Sequence, residues 1–226
     1  MSNFDPNILP ADFPSSESIE SLIVAHVPKD LIAAMEEALI TGAAEGAIGS
    51  GTLARGHRAH AIGHMRHFRT NERFFDALTA ADASPTPLNG NRLVVGRIGI
   101  FSISRFNVTT HFWGNAKRSK ARRQLAMFNR AIEHLVSPDL FESYKPAQTA
   151  SLFAVGVFDR SPGNALAELV RVDIAIPRPD MDGWLYRQPV AMTLALYESK
   201  PQASQPDMAH PVLKTNIVAP KKQNEQ

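Results

Sequence analysis

The chain of 226 residues contains no cysteine. That excludes disulfide staples, thiolate metal sites and cysteine nucleophiles, and it suits a reducing compartment. Also missing is any uninterrupted apolar stretch long enough to span a bilayer. The segment Met1 to Ser15 is acidic and proline-containing, without the basic start and apolar run of a secretory leader. The expectation is a cytoplasmic protein with no membrane partner. No glycine-rich phosphate loop ending in Lys-Ser/Thr, no Gly-x-Ser-x-Gly elbow and no dinucleotide fingerprint occurs, and Gly96-Arg97-Ile98-Gly99 sits in a strand-like run without the helix such loops need. No cofactor and no catalytic residue are therefore assigned.

Acids are scarce in the middle of the chain. Gly46 to Ile132 holds three of them, Glu72, Asp76 and Asp82, against fourteen Lys and Arg, a net of +11. Met1 to Glu45 holds eight acids against Lys29 alone, a net of −7, so the overall +2 conceals a segregation. Such asymmetry points to a polyanionic partner, DNA or RNA, or to an acidic protein surface. The plainer reading is that the acidic N-terminal segment folds over the basic middle and neutralises it.

What is present is an ordinary globular balance, 44% hydrophobic and 20% charged residues, enough to build a full core. The pattern predicts an α+β fold: an antiparallel sheet of three or more strands packed with about five helices in a single domain. Residues 1–15 are expected to be a flexible N-terminus, 16–199 the α+β domain and 200–226 a mobile tail. Two helices separated at Val27-Pro28 are predicted by the spacing of Ile19, Leu22 and Ile23 and of Leu31, Met35 and Leu39, the second ended by the glycines from Gly42 to Gly51. A third runs from Leu53 to about Leu78. Arg92 to Val108 reads as one long strand with Gly96 and Gly99 as bulge positions. Leu152 to Phe158 suits a central strand. Glu168 to Ile176 alternates as a strand with Arg171 and Asp173 on its wet face, joined to the previous strand by a turn at Asp159 to Asn164. A helix from about Asn115 to Val136 and a short one near Pro189 complete the prediction.

His57, His60, His64 and His67 recur at spacings of three, four and three, which lines them along one helix face. His60, His64 and His67 are thereby weak metal candidates, but no glutamate lies inside the spacing to act as the general base of a hydrolytic zinc site. With Arg55, Arg58, Arg66 and Arg69 interleaved, the same stripe reads as a polyanion-binding face, and some of the rings read as packed helix contacts. A histidine-based nuclease would draw on His57, His60, His64, Arg66 and acids such as Glu72 and Asp76.

Lys117, Arg118, Lys120, Arg122 and Arg123 crowd the first turns of a helix, where the macrodipole disfavours cations, so stability alone does not explain them. Phe112 and Trp113 stand just before, able to stack on bases or to staple the helix to the sheet. Directly after comes Gln124-Leu125-Ala126-Met127-Phe128. This resembles the bacterial sliding-clamp-binding pentapeptide, whose usual form is Gln-Leu-Ser/Asp-Leu-Phe; Ala126 stands for the small polar residue and Met127 for leucine. The resemblance covers five residues. It implies that Gln124 fills a polar subsite of the DNA sliding clamp and that Leu125, Met127 and Phe128 supply the apolar contact, and it implies no chemistry. It further implies a likeness to replication-blocking toxins of the SocB type, cytoplasmic proteins that bind the clamp and that an antitoxin partner hands to a protease. The rival reading is that Leu125, Phe128, Ile132 and Leu135, at helical spacing, form a buried core stripe.

Overall fold

Ser18 caps α1 (Ile19–His26): its hydroxyl accepts the Ser21 N–H at 3.1 Å while the Ser21 hydroxyl accepts the Ser18 N–H at 2.9 Å. A computed structural model describes residues 18–110, 113–136, 148–159 and 166–198, with backbone alone at 113–115. The expectations for residues 1–15, for the turn within 160–165 and for the tail 200–226 lie outside the described residues. Pro28 breaks the chain after α1 as predicted, and α2 (Lys29–Gly51) follows. It ends at Gly51, the last of the predicted glycines, but runs through the earlier ones. Gly42 and Gly46 lie inside it, where a Cβ at Gly42 would collide with the Thr70 backbone and one at Gly46 would come 2.5 Å from Arg66 Cα. The absent side chains let α2 lie against α3 (Arg55–Ala80), so close backbone approach, and not helix termination, is what these glycines provide.

The predicted long strand is two. β1 (Gly96–Ile98) and β2 (Phe101–Thr109) form an antiparallel hairpin that turns at Gly99, which has φ of +52°. Gly99 also sits under His26, whose Cβ would be 2.7 Å from an added methyl. β3 (Ala150–Asp159), β4 (Glu168–Pro177) and β5 (Trp184–Pro189) complete one sheet in the order β1-β2-β3-β4-β5. All neighbours are antiparallel except β2 and β3, which run parallel from Phe101↔Ala150 to Thr109↔Phe158. A parallel pair needs a crossover, and the chain between these strands supplies it. That crossover is not the single helix expected from Asn115 to Val136. Its described part is a 3-10 helix (Trp113–Arg118), α4 (Lys120–Ala126), a 3-10 turn (Met127–Asn129) and α5 (Arg130–Glu133). α6 (Val190–Glu198) closes the described chain near the predicted Pro189.

Alternation along the strands divides the core in two. Phe101, Ile103, Leu152, Ala154, Val172 and Ile174 join the large cluster built with α1, α2, α3 and α6. Phe106, Val108, Phe153, Val155 and Val157 face the other side, against Ala116 and Ala126 of the crossover. β4 corrects the predicted wet face. Asp173 is buried, and its two carboxylate oxygens are held by Arg171 Nε at 2.9 Å and Arg187 Nε at 3.3 Å, while Val170, assigned to the apolar side, is exposed.

Candidate functional site

The Gln124–Phe128 segment straddles the end of α4 and the 3-10 turn that follows. Gln124 is exposed, Leu125 half-buried and Ala126 fully buried. Met127 is 52% and Phe128 39% exposed. The predicted core stripe is thus corrected at Phe128, because the buried positions here are Ala126, Asn129 and Ile132, spaced by the three residues per turn of a 3-10 helix. Asn129 explains the geometry. Its carboxamide oxygen accepts the Ser151 N–H at 2.6 Å and the Ser151 hydroxyl at 3.2 Å, and its nitrogen donates to the Pro177 carbonyl at 2.8 Å. One buried amide therefore pins the turn to β3 and β4 and leaves two large apolar side chains facing outward beside the exposed Gln124.

The cations do not form the single surface expected. Arg66 turns inward: its Nη1 donates to the Ala167 carbonyl at 2.6 Å and its guanidinium lies 5.1 Å from the Phe158 ring centre, in a groove that also holds Glu36 and Glu168. Burial lowers its pKa from the ordinary arginine value. Arg58 donates to the Leu53 carbonyl at 2.8 Å, Arg69 pairs with Glu72 at 2.9 Å, and Lys117 pairs with Asp182. Arg55, Lys120 and Arg123 are exposed, as is Arg118. Of the acidic N-terminal segment, Glu45 reaches the basic middle through an ion pair with Arg73, which holds the Glu45 carboxyl below the usual range.

The histidine face is also divided. His57, His60 and His64 are exposed, with the His60 and His64 ring centres 5.7 Å apart. His67 is half-buried and turns toward β2. Among the described residues no three His, Cys, Asp or Glu side chains come together in a way that could hold a metal ion, so His60, His64 and His67 do not form the set their spacing suggested. The residues of the nuclease reading are likewise apart. His57 and Asp76 are separated by about 28 Å along α3 at the helical rise, and Glu72 and Arg66 are engaged with Arg69 and the Ala167 carbonyl.

Two residues outside the predicted set, Arg105 and Asn71, organise the region around His67. Arg105 is 3% exposed on β2. Its Nε and Nη2 donate to Asn71 Oδ1 at 3.0 and 2.5 Å, and Nη2 donates also to the His67 carbonyl at 2.6 Å. All these partners are neutral. Burial, then the nearby Arg122 charge, push Arg105 down to about 9, still charged at neutral pH. Because the Asn71 oxygen serves Arg105, its nitrogen faces His67 Nε2, at 3.2 Å, and that ring nitrogen must offer a lone pair. Burial first, then the charges of Arg105, His64 and Arg122, push His67 down to about 4, so the ring is neutral near pH 7. Beyond them opens a cavity of about 500 Å³ between α3, the segment before β1 and α4. Arg92, Arg122, Ser119 and His67 contribute its polar wall, and Leu93, Val95, Leu125 and Phe128 its apolar wall. Arg122 lies with its guanidinium 4.7 Å from the Phe106 ring centre, and its Nε is buried without a hydrogen-bond partner. The sequence signal for this arrangement was an arginine at an inward strand position, two residues beyond Ile103.

No protein-family model matches this chain. Neither a curated protein nor a solved structure matches it. The functional reading therefore rests on the geometry above. Among the described residues no helix is long and apolar enough to cross a membrane.

Proposed function

We propose that this chain is a non-enzymatic binding protein that docks on the bacterial DNA sliding clamp through Gln124, Leu125, Met127 and Phe128. The observation that carries the reading is the outward display of Met127 and Phe128 on a 3-10 turn fixed from behind by Asn129. A turn whose backbone is already fixed needs no reordering when its exposed apolar side chains enter a cleft, which lowers the entropic cost of docking. Gln124, one helical turn before Phe128, is exposed and free to serve a polar subsite. Lys120 and Arg123 are exposed on the same short helix and add long-range attraction to an acidic partner surface, which raises the association rate more than it slows dissociation. A protein seated there competes with other proteins that use the same cleft. In this reading it acts as a toxin-like inhibitor or an accessory factor of replication in the cytoplasm, with an antitoxin as the natural second partner.

The test is capture of purified sliding clamp by the full chain and by its Gln124→Ala and Met127→Ala/Phe128→Ala variants, at low and high salt. Binding that persists at high salt and disappears in the variants supports the reading. Equal binding by all three, or none, overturns it. A second reading, nucleic-acid binding, is favoured by one separate observation: Lys120 and Arg123 are exposed on α4, and Arg92 is exposed in the lining of a cavity that includes no acid among the described residues. It predicts retention of single-stranded DNA or RNA that falls steeply with salt and with reversal of those charges.

A further inference from the structure

We propose that the cavity between α3 and α4 is a binding site for a small organic anion, with a phosphate or carboxylate head and a flat apolar body. The proposal goes beyond clamp docking and does not depend on it.

The first ground is an uncompensated buried charge outside the cavity wall, one hydrogen bond from its lining residue His67. Arg105 is almost wholly buried, and its partners are the Asn71 amide and the His67 carbonyl, without a carboxylate. Buried cations are ordinarily paired with anions, because leaving water is costly for a charge and dipoles alone return part of that cost. The only acid buried among the described residues, Asp173, is committed to Arg171 and Arg187.

The second is Arg122, in the wall of the cavity itself. Its guanidinium is fixed over the Phe106 ring, yet its Nε is buried with no acceptor and its Nη1 has a long 3.5 Å contact to the Ala116 carbonyl. A guanidinium presents donors in a planar fork that suits carboxylate and phosphate oxygens. Arg92 stands across the opening, and Ser119 adds a hydroxyl. The third ground is the apolar part of the lining. Leu93, Val95, Leu125 and Phe128 are apolar and leave a space of drug-like size, so a bare inorganic ion would fill a fraction of it. His67, neutral in the cavity lining, offers a ring edge and adds no cation to Arg92 and Arg122.

Isothermal titration of the 226-residue chain with phenyl phosphate, benzoate and inorganic phosphate tests the site. The expected result is saturable binding of phenyl phosphate or benzoate, with inorganic phosphate weaker by about tenfold or more because it leaves the apolar wall unfilled. Arg122→Gln is expected to weaken the organic anion by about tenfold or more. Arg92→Gln, at an exposed side chain, should weaken it as well and keeps the test decisive where the Arg122 variant fails to fold. Binding should also raise the pKa of the His67 ring, read by its imidazole resonances. Absence of saturable binding by both organic probes overturns the proposal, as does binding that neither arginine variant alters. Tighter binding of inorganic phosphate than of phenyl phosphate also overturns it. None of these readouts involves the clamp, so failure here leaves the docking reading to its own test.

Discussion

The Asn129 carboxamide oxygen accepts the backbone N–H of Ser151 at 2.6 Å, joining the Met127–Asn129 turn to the first residues of β3. Both residues are fully buried. The same side chain closes on the Pro177 carbonyl at the end of β4, so a single amide ties the crossover to two strands.

Asn129→Ala is expected to strand the Ser151 N–H and the Pro177 carbonyl and to destabilise the fold by about 1–3 kcal/mol. Urea unfolding measures this. The same variant should lose clamp capture more than its stability loss accounts for, because the turn no longer holds Met127 and Phe128 outward.

Met127→Ala and Phe128→Ala should leave the urea midpoint nearly unchanged, within about 0.5 kcal/mol for Met127 and somewhat more for Phe128. Ala126→Leu, one residue before them at a position with no exposure, should cost about 1–3 kcal/mol by overpacking. A large loss at Met127 and none at Ala126 would contradict the outward turn described above.

Gly42→Ala should destabilise by about 1–3 kcal/mol or more, although alanine is the better helix former by about 1 kcal/mol. The added methyl meets the Thr70 backbone, which cannot rotate away as a side-chain end would. Gly63→Ala, on α3 with open space around it, should instead stabilise. Thermal melts of the two variants give opposite signs.

His67 carries a pH dependence of known sign. Its folded pKa, about 4, lies below the ordinary 6.5, so between those values the unfolded chain binds more protons. Its contribution is intact above about pH 6.5 and is lost as pH falls toward 4, by about 1–2 kcal/mol after allowance for the solvent reaching a half-buried ring. The facing groups are Arg105 from β2, Arg122 from α4, and His64, Phe68 and Asn71 on its own helix. Urea midpoints at about pH 7.5 and about pH 4.5 should converge in His67→Gln relative to the unmodified chain.

The α+β class was legible because period-2 and period-3.6 patterns are local. Leu152 to Phe158 and Glu168 to Ile176 announce strands regardless of their neighbours, and the Val27-Pro28 break follows from proline sterics. What stayed hidden depends on distant contacts. The glycines of α2 look like helix ends until α3 lies against them. The direction of β2 relative to β3 is set by the crossover, and 3-10 geometry shifted the buried face from Leu125 and Phe128 to Ala126 and Asn129. At the candidate site the cations around Lys117 to Arg123 could be seen in the sequence. The cavity could not, because Arg105, Asn71 and His67 meet from a strand and a helix more than thirty residues apart.

The parallel pairing of β2 with β3 joins segments nearly fifty residues apart, with the crossover between them. No tight turn can template such a ladder, and its closure must await the ordering of the intervening chain. The Met127–Phe128 surface is anchored on Ser151 and Pro177, so it comes into being only after β3 and β4 have emerged and paired. A chain still leaving the ribosome before Pro177 has no such surface to present. Whatever partner reads it meets chains grown past Pro177.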